Sequence, residues 1–404
     1  MKVNYDIIIA GAGPVGLACA LALSQASDQS LKIAVCDPSL GSRKSFGRIS
    51  ALAPASSNLL EVLGAWERLH PLAQPILEMQ ISDSRTRDSI RLPILSFESD
   101  PSAGPIAHIL PNAEIEHLLH GMAQNNGIAL IAAEVQSMQA QASFAEIRFV
   151  THEPLYTRLV VAADGRQSRL RRMSGLTTIG WDYAVSGIVA TIGHERDHEG
   201  IARQHFLPAG PFAALPMTQS RSSIVWCEPH SRAQELIQGS RDVFMHELET
   251  RFGFELGDLS LLDQPVAYPL SLQLARTMCA PRLVLLGDAA HVIHPIAGQG
   301  LNLAFRGVAV LAEEIIAQIR LGLDPGAPQP LENYERRRRF DTLTTGLGMD
   351  ALYRLFANDL TSLRLIRDLG LGLVDRSHAI KKSLMREAAG KTGQVPLLLQ
   401  GLPI

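Results

Sequence analysis

Apolar and polar positions change their period several times along the chain, and each change predicts an element. Tyr5 to Ala10 is an unbroken apolar run, the mark of a short strand buried on both faces, and the Ala- and Leu-rich "ACALALSQ" after it reads as a helix. "LKIAVCD" returns to strand and ends in Asp37, and Leu59, Leu60 and Leu63 then fall at helical spacing. Residues 76–100 alternate, as sheet from a second unit would. Leu159 to Ala163 and "RLVLLGD" are again continuous buried strands. From about 180 to 275 the segments "YAVSGIVATI", "ARQHFLPAGPFAALPM" and "SSIVWCEP", separated by turns, predict an antiparallel sheet rather than βαβ units. A long amphipathic helix opens at Leu301. In the tail, Leu352, Leu355, Phe356, Leu363, Ile366 and Leu369 recur at roughly helical spacing among Arg354, Arg364 and Arg367.

The joints between these elements carry the chemistry. Between the first strand and helix, Gly11, Gly13 and Gly16 stand in G-x-G-x-x-G spacing. One glycine allows the tight turn, one lets a pyrophosphate approach the backbone, and one lets helix and strand pack closely. The helix N-terminus then turns its free N–H groups toward the phosphates. Asp37 ends the next strand, where a carboxylate accepts hydrogen bonds from a ribose diol. Strand, glycines, helix, strand and acid together predict a dinucleotide site, and no second such unit follows downstream. That points to one firmly held dinucleotide.

Three further joints join this site. Arg48 lies in the loop after the acid-tipped strand, within reach of phosphates, although a solvated loop arginine is an equal reading. Asp164 and Gly165 end a buried strand, where open α/β sheets bind ligands, and Arg166, Arg169, Arg171 and Arg172 beside them suit a phosphate-bearing partner. Asp288 ends the last strand, and a loop with His291, His294, Pro295, Gly298 and Gly300 leads into the long helix. The two histidines at i,i+3 invite a metal reading, but proline breaks the helical spacing and no third ligand is near, so no metal is expected. Phe206, Phe212, Pro216 and Trp226 are candidates to line a pocket, with ordinary core as the competing reading.

Composition narrows the class. Of 404 residues 46% are apolar and 19% charged, which is globular and large enough for two or three packed units. A net charge of -3 gives no reason to expect nucleic acid. Cys19, Cys36, Cys227 and Cys279 form no CxxC pair, which argues against a disulfide framework and fits a reducing compartment. No run of 18 apolar residues occurs, so the chain is expected to be soluble or attached at most to a membrane surface. Residues 331–404 hold 12 Lys/Arg against 8 Asp/Glu. A basic amphipathic tail can lie on an anionic membrane, though a helix packed on the body of the protein is the more frequent case.

"GAGPVG", "AADGRQSRLR" and "GDAAHVIHPIAGQGLNLAFRGV" resemble, in order, the three signatures of the single-component flavoprotein aromatic hydroxylases, the group of para-hydroxybenzoate hydroxylase. The resemblance spans essentially the whole chain, and the tail is similar to the ubiquinone-biosynthesis branch. It implies an α/β fold: a Rossmann-type FAD-binding domain (1–75, 101–178, 276–330), an inserted, mainly antiparallel β-sheet substrate domain (76–100, 179–275) and a C-terminal helical region (331–404). It implies that Gly11, Gly13, Gly16 and Asp37 bind the ADP half of tightly held FAD. Arg48, Asp288 and Gly298, Gln299, Gly300, Leu301 and Asn302 match positions contacting pyrophosphate, ribityl chain and flavin. Asp164 and Gly165 match the signature for both FAD and transient NAD(P)H. Two departures stand out: Gly307 replaces a usual Asp, and Asn112 is kept but followed by Ala113 where an Arg is common.

The implied activity is an FAD-dependent monooxygenase. NAD(P)H reduces the flavin, O2 adds to give a C4a-hydroperoxyflavin, and its distal oxygen passes to the ring of a polyprenylated ubiquinone precursor, with the Pro295 loop carbonyl facing the substrate. A soluble aromatic substrate is the nearest rival, and a non-catalytic FAD-stabilised subunit a more distant one. The implied setting is cytoplasmic, with peripheral contact at the inner face of the membrane, a ubiquinone-biosynthesis complex as partner, and an open oligomeric state.

Overall fold

The computed structural model describes residues 3–40, 47–86, 88, 91–357, 367, 370–372 and 374–404. Leu363, Arg364, Ile366 and Leu369 of the tail lie outside the described residues.

The continuous apolar runs form the parallel centre of one mixed sheet, to which Ala145–Phe149 and Cys279–Ala280 add antiparallel. Its central strands run in the order Leu283–Leu285, Leu155–Ala162, Tyr5–Ala10, Ile33–Cys36, Ala129–Ile131. Neighbours are locked in register, Ile8 beside Val160 on one side and Ala34 on the other. Ile7, Ile8 and Ile9 are all fully buried because both faces of the sheet are covered, as a parallel sheet requires. On one face Pro14–Ala26, Asn112–Asn125 and Gln299–Arg320 pack over Leu17, Leu21, Leu159 and Phe305. The first helix is apolar nearly all round since it is enclosed by sheet and helices alike. Each fully buried Leu or Ile contributes about 1.5–3 kcal/mol.

The alternating segments form the second, nine-stranded sheet, centred on the 17-residue strand Thr178–His194, which pairs antiparallel with Arg221–Pro229 and Val266–Ala275. Glu78–Asp83 joins it parallel to Ile201–Leu207. Two helices absent from the alternating pattern, His230–Gln238 and Arg241–Phe252, cover its outer face with Ala233, Leu236, Phe244 and Leu248. A small third sheet, Ile49–Leu52, Ala107–Pro111 and Gln74–Ile76, lies near the start of the long helix.

The last helices close over both sheets. Pro328–Phe356 begins ahead of the boundary expected at 331, since Pro330 and Leu331 are already buried. Tyr334 donates to the Leu285 carbonyl at 3.0 Å, and Phe356 stacks on Phe206 at 3.9 Å. Leu398 and Leu399 return to the core of the first unit, where Asn58 donates to the Leu399 carbonyl.

Candidate functional site: a dinucleotide cradle against an aromatic wall

The strand ends build the site. Gly11 N–H donates to the Cys36 carbonyl at 2.8 Å, Ala163 N–H to Ala10 at 2.7 Å and Leu286 N–H to Ala162 at 2.9 Å. The carboxyl ends of four parallel strands are thereby tied side by side, the place where open α/β sheets receive ligands. Gly11 has φ +113, and a Cβ there would stand 2.1 Å from the Ala163 carbonyl oxygen. A Cβ on Gly16 would lie 2.0 Å from the Gly11 carbonyl, so that glycine is needed for the helix to close on the turn. Gly13 caps the helix in extended conformation with no side-chain cap and no acid in the first turn, which leaves the helix N-terminus open to an anion. Asp37 accepts from Ala12 N–H at 2.9 Å and from Ser39, so its carboxylate also holds the turn in place.

The loop before the long helix faces the same space. Asp288 is open to solvent, yet the surrounding protein raises its pKa by desolvation against the opposing pull of Arg48 and Arg166. A carboxylate both wet and enclosed lies in a cleft. Arg48 lies over the Tyr268 ring at 4.3 Å, and its carbonyl accepts Asn112 N–H at 2.9 Å. Asn112 accepts from Ser50 Oγ at 2.6 Å, and half-buried Ala113 supplies no cation. The helix starts at Gln299, two residues before the predicted Leu301, capped by Gly298 at φ +62 without a side-chain cap or first-turn acid. Gly298 N–H donates to the Pro295 carbonyl at 3.0 Å. Around Gly300 nothing lies within 4 Å of where a Cβ would be. Gln299 is buried, and Leu301 packs against the core of the first unit. Asn302 spends its amide within the chain: Oδ1 accepts from Ala53 N–H and Ser56 Oγ, and Nδ2 donates to Ala51. It pins the helix start to the third sheet.

Asp164 accepts from the N–H groups of Arg169 and Leu170 through Oδ2, while its buried Oδ1 has no partner among the described residues. Gly165 follows at φ +82 with open space around it. The arginines part ways. Arg171 is mostly buried and spends its guanidinium on the Ala289 and Arg166 carbonyls at the edge of a cleft of about 560 Å³, which Arg166, Arg172, Thr178, Asp182 and Gln273 line with it. At the Gly307 departure a Cβ would reach toward Leu286, Tyr334 and Arg338. Asp341 supplies a carboxylate here, pairing with Arg306 at 2.6 Å and with Arg338.

On the other side the loop meets the second sheet. His291–Val292 pairs with Gln273 and Leu274, and Ile296 packs with Val185, Leu270 and Tyr353. His294 lies against Tyr183 and Tyr353. Phe212 and Trp226 are buried in the core under Arg241–Phe252, with Phe244, Leu248 and Phe252. Sequence reading missed Tyr183 and Tyr353, since no local pattern links positions so far apart. Among the described residues no three His, Cys, Asp or Glu side chains gather as a metal site.

The residues fit FAD. Two uncapped helix N-termini free of acids, a buried carboxylate oxygen left over at Asp164, an enclosed Asp288 and glycines opening onto free space are what a pyrophosphate, a ribityl chain and a flat ring need. The family model described as FAD binding domain matches residues 4–341. The chain is also 39% identical over 99% of its length to the ubiquinone hydroxylase UbiL of Rhodospirillum rubrum, 93% of which is covered. The chain belongs to this family of FAD-dependent hydroxylases. Within it, the 3-demethoxyubiquinol 3-hydroxylase of Escherichia coli is 29% identical over 95% of this chain and 98% of that protein. The fold matches the crystal structure of p-nitrophenol 4-monooxygenase PnpA from Pseudomonas putida with a TM-score of 0.80 at 18% identity, covering 96% and 99% of the two chains. This FAD-dependent monooxygenase thus pairs a dinucleotide cradle with an aromatic wall.

Proposed function

We propose that this FAD-dependent monooxygenase hydroxylates the aromatic ring of a polyprenylated ubiquinone precursor, with NAD(P)H as reductant and O2 as the oxygen source. One juxtaposition carries the assignment. The loop from Ile293 to Gly298 has the dinucleotide elements on one side and an apolar, aromatic surface on the other, from Leu272, Val185, Tyr183 and Tyr353. The prenylated class follows the ubiquinone hydroxylases among its relatives.

Bound flavin supplies the O2 activation and oxygen transfer, and the chain supplies positioning, dryness and charge. Gly11, Gly13, Gly16, Asp37 and Arg48 hold the ADP and pyrophosphate. Asn112 sets the Arg48 loop, while Asp164, Gly165 and Asp288 hold the ribityl side. Gly298, Gln299, Gly300, Leu301 and Asn302 present the helix N-terminus to the flavin's pyrimidine edge, where its positive end favours the anionic reduced ring. The reductant's phosphates dock transiently at the cleft of Arg166 and Arg172. The Pro295 carbonyl, which keeps one lone pair beyond its bond to Gly298, faces the substrate side.

No helix among the described residues is long and apolar enough to cross a membrane. A lipid-tailed substrate is reached from the cytoplasmic surface of the membrane, in our proposal through the basic tail and within an assembly of biosynthetic proteins.

The test is mass spectrometry of quinone lipids from a strain lacking the protein. We expect a prenylated ring short of one hydroxyl to accumulate and to disappear on complementation. Unchanged quinone, also in a strain lacking other hydroxylases, would assign the enzyme to a soluble aromatic instead.

A further inference from the structure

His294 is unlike the other polar groups of the flavin-facing loop. Its side chain is 0% exposed, and neither Nδ1 nor Nε2 meets a hydrogen-bond partner among the described residues. A buried polar group left unpaired costs about 1–3 kcal/mol, a cost that a partner from outside the chain would remove. The ring is held in place: Tyr353 stacks on it at 4.5 Å and 25°, and Tyr183 meets it edge-on at 5.1 Å. Tyr183 reaches this position from an irregular stretch of its strand, where the register shifts between Asp182 and Ser186 and Ala184 takes φ +58. Such bulges re-aim side chains. Val185, Leu270, Ile296 and Met349 complete an apolar surround. The surround of the imidazole is therefore flat-walled and greasy, and its unspent polar atoms among the described residues are the two ring nitrogens and the Tyr183 hydroxyl, beside the loop that leads to Gly298. A planar ring carrying a hydroxyl satisfies the imidazole.

We propose that His294 is a catalytic residue that accepts a hydrogen bond from the ring hydroxyl of a phenolic substrate and takes its proton as oxygen is added to the ring. This rests on the ring-hydroxylase assignment above. The hydroxyl oxygen supplied from O2 through the reduced cofactor bonds to a ring carbon, drawing an electron pair from the ring, and the other O2 oxygen leaves as water. The phenolic O–H bond breaks, its electron pair closes a C=O bond, and the proton moves to the imidazole. Loss of the proton from the newly oxygenated carbon restores the aromatic ring, and the imidazolium returns its proton to the carbonyl oxygen. The net change is one ring C–H converted to C–OH.

The surroundings keep the imidazole in the accepting form. Burial lowers its pKa to about 4, with Asp350 pulling the other way. Asp350 and Arg354, on the helix bearing Tyr353, pair with each other at 2.9 Å, and Asp350 also accepts from Trp181. Burial raises Tyr353 to about 12 and Tyr183 further, so both phenols stay neutral. Asp182, beside Tyr183, pairs with His230 at 3.1 Å, and His291 on the same loop is neutral, burial lowering it to about 3.

The test uses the full-length, FAD-loaded enzyme with NAD(P)H, O2 and a short-chain prenylated phenol. Hydroxylated product per NAD(P)H consumed is measured for wild type, His294→Phe and His294→Gln. We expect both variants to keep wild-type FAD occupancy. His294→Phe should lose coupling more than tenfold, with hydrogen peroxide in place of product, and His294→Gln, whose amide oxygen still accepts, should retain an intermediate share. Imidazole NMR of the wild type, its His294 signal assigned by its absence from His294→Gln, should shift on adding the phenol, and this reading holds even if His294→Phe fails to fold. Unaltered coupling in His294→Phe, or no shift at His294, would overturn the proposal. A wild type that hydroxylates no prenylated phenol would instead overturn the ring-hydroxylase assignment.

Discussion

Glycines of the same motif vocabulary answer to different forces here. Gly11 and Gly16 are required by the chain itself, since a Cβ would stand about 2 Å from a carbonyl oxygen at each. Gly300 meets nothing within 4 Å, so only a bound ring would object to a side chain there. Gly300→Ala should therefore leave the melting temperature of the FAD-free protein unchanged while weakening FAD binding at least tenfold, measured by flavin fluorescence. Gly16→Ala should lower the melting temperature and the yield of folded protein as well. Equal loss of stability in both would mean that Gly300 faces protein rather than cofactor. The spacing of these glycines was legible in sequence. Which of them the fold demands and which the cofactor demands was not, because the colliding atoms belong to Ala163 and Gly11 in one case and to no residue in the other.

Whole elements show the same division. The pattern of continuous apolar runs announced the parallel sheet, and the alternation announced the second sheet. His230–Gln238 and Arg241–Phe252 did not stand out, because their few apolar residues only cover a sheet face that was not yet placed. The tail helix His378–Ala388 has no buried residue, and exposes Ile380 and Leu384 one turn apart beside Lys382 and Arg386. An apolar strip flanked by cations suits an anionic bilayer surface. The protein should float with vesicles of phosphatidylethanolamine and phosphatidylglycerol, and Lys382→Glu with Arg386→Glu should reduce the bound fraction several-fold, more at low salt than at high. Flotation unaffected by the reversals would leave the helix as a contact for protein.

At the scale of the molecule, interior histidines tie stability to pH. Burial lowers His205 and His291 to about 3, and His108 and His294 to about 4, with His70 also disfavouring the charge on His108. In the unfolded chain each titrates near 6.5. Folded pKa values below unfolded ones mean that the stability is complete above about pH 6.5 and drains away as pH falls toward the folded values, by up to about 1.4 kcal/mol per pH unit per histidine. Thermal melts should be flat from pH 8 to 7 and drop steadily between about 6.5 and 5. A flat profile down to pH 5 would show that these imidazoles are charged or hydrated in the folded protein.

The dinucleotide half of the site was determined by sequence alone: strand, glycine turn and helix N-terminus are contiguous, and local backbone geometry suffices to bind a phosphate. Asp37, Asp164 and Asp288 stood out in sequence as acids closing apolar runs, and the structure sets Asp37 directly after Cys36, Asp164 two residues after Ala162 and Asp288 in the short helical turn Gly287–Ala289 that follows Leu285. What faces the flavin from the other side was decided only by the tertiary structure. Tyr183, His294 and Tyr353 come from a strand, a loop and a distant helix, and ring contacts of 4.5 to 5.1 Å arise when the second sheet and the last helix close over one loop. A pocket wall is assembled from side chains far apart in the chain, and no period or spacing along a single segment encodes which of them will meet.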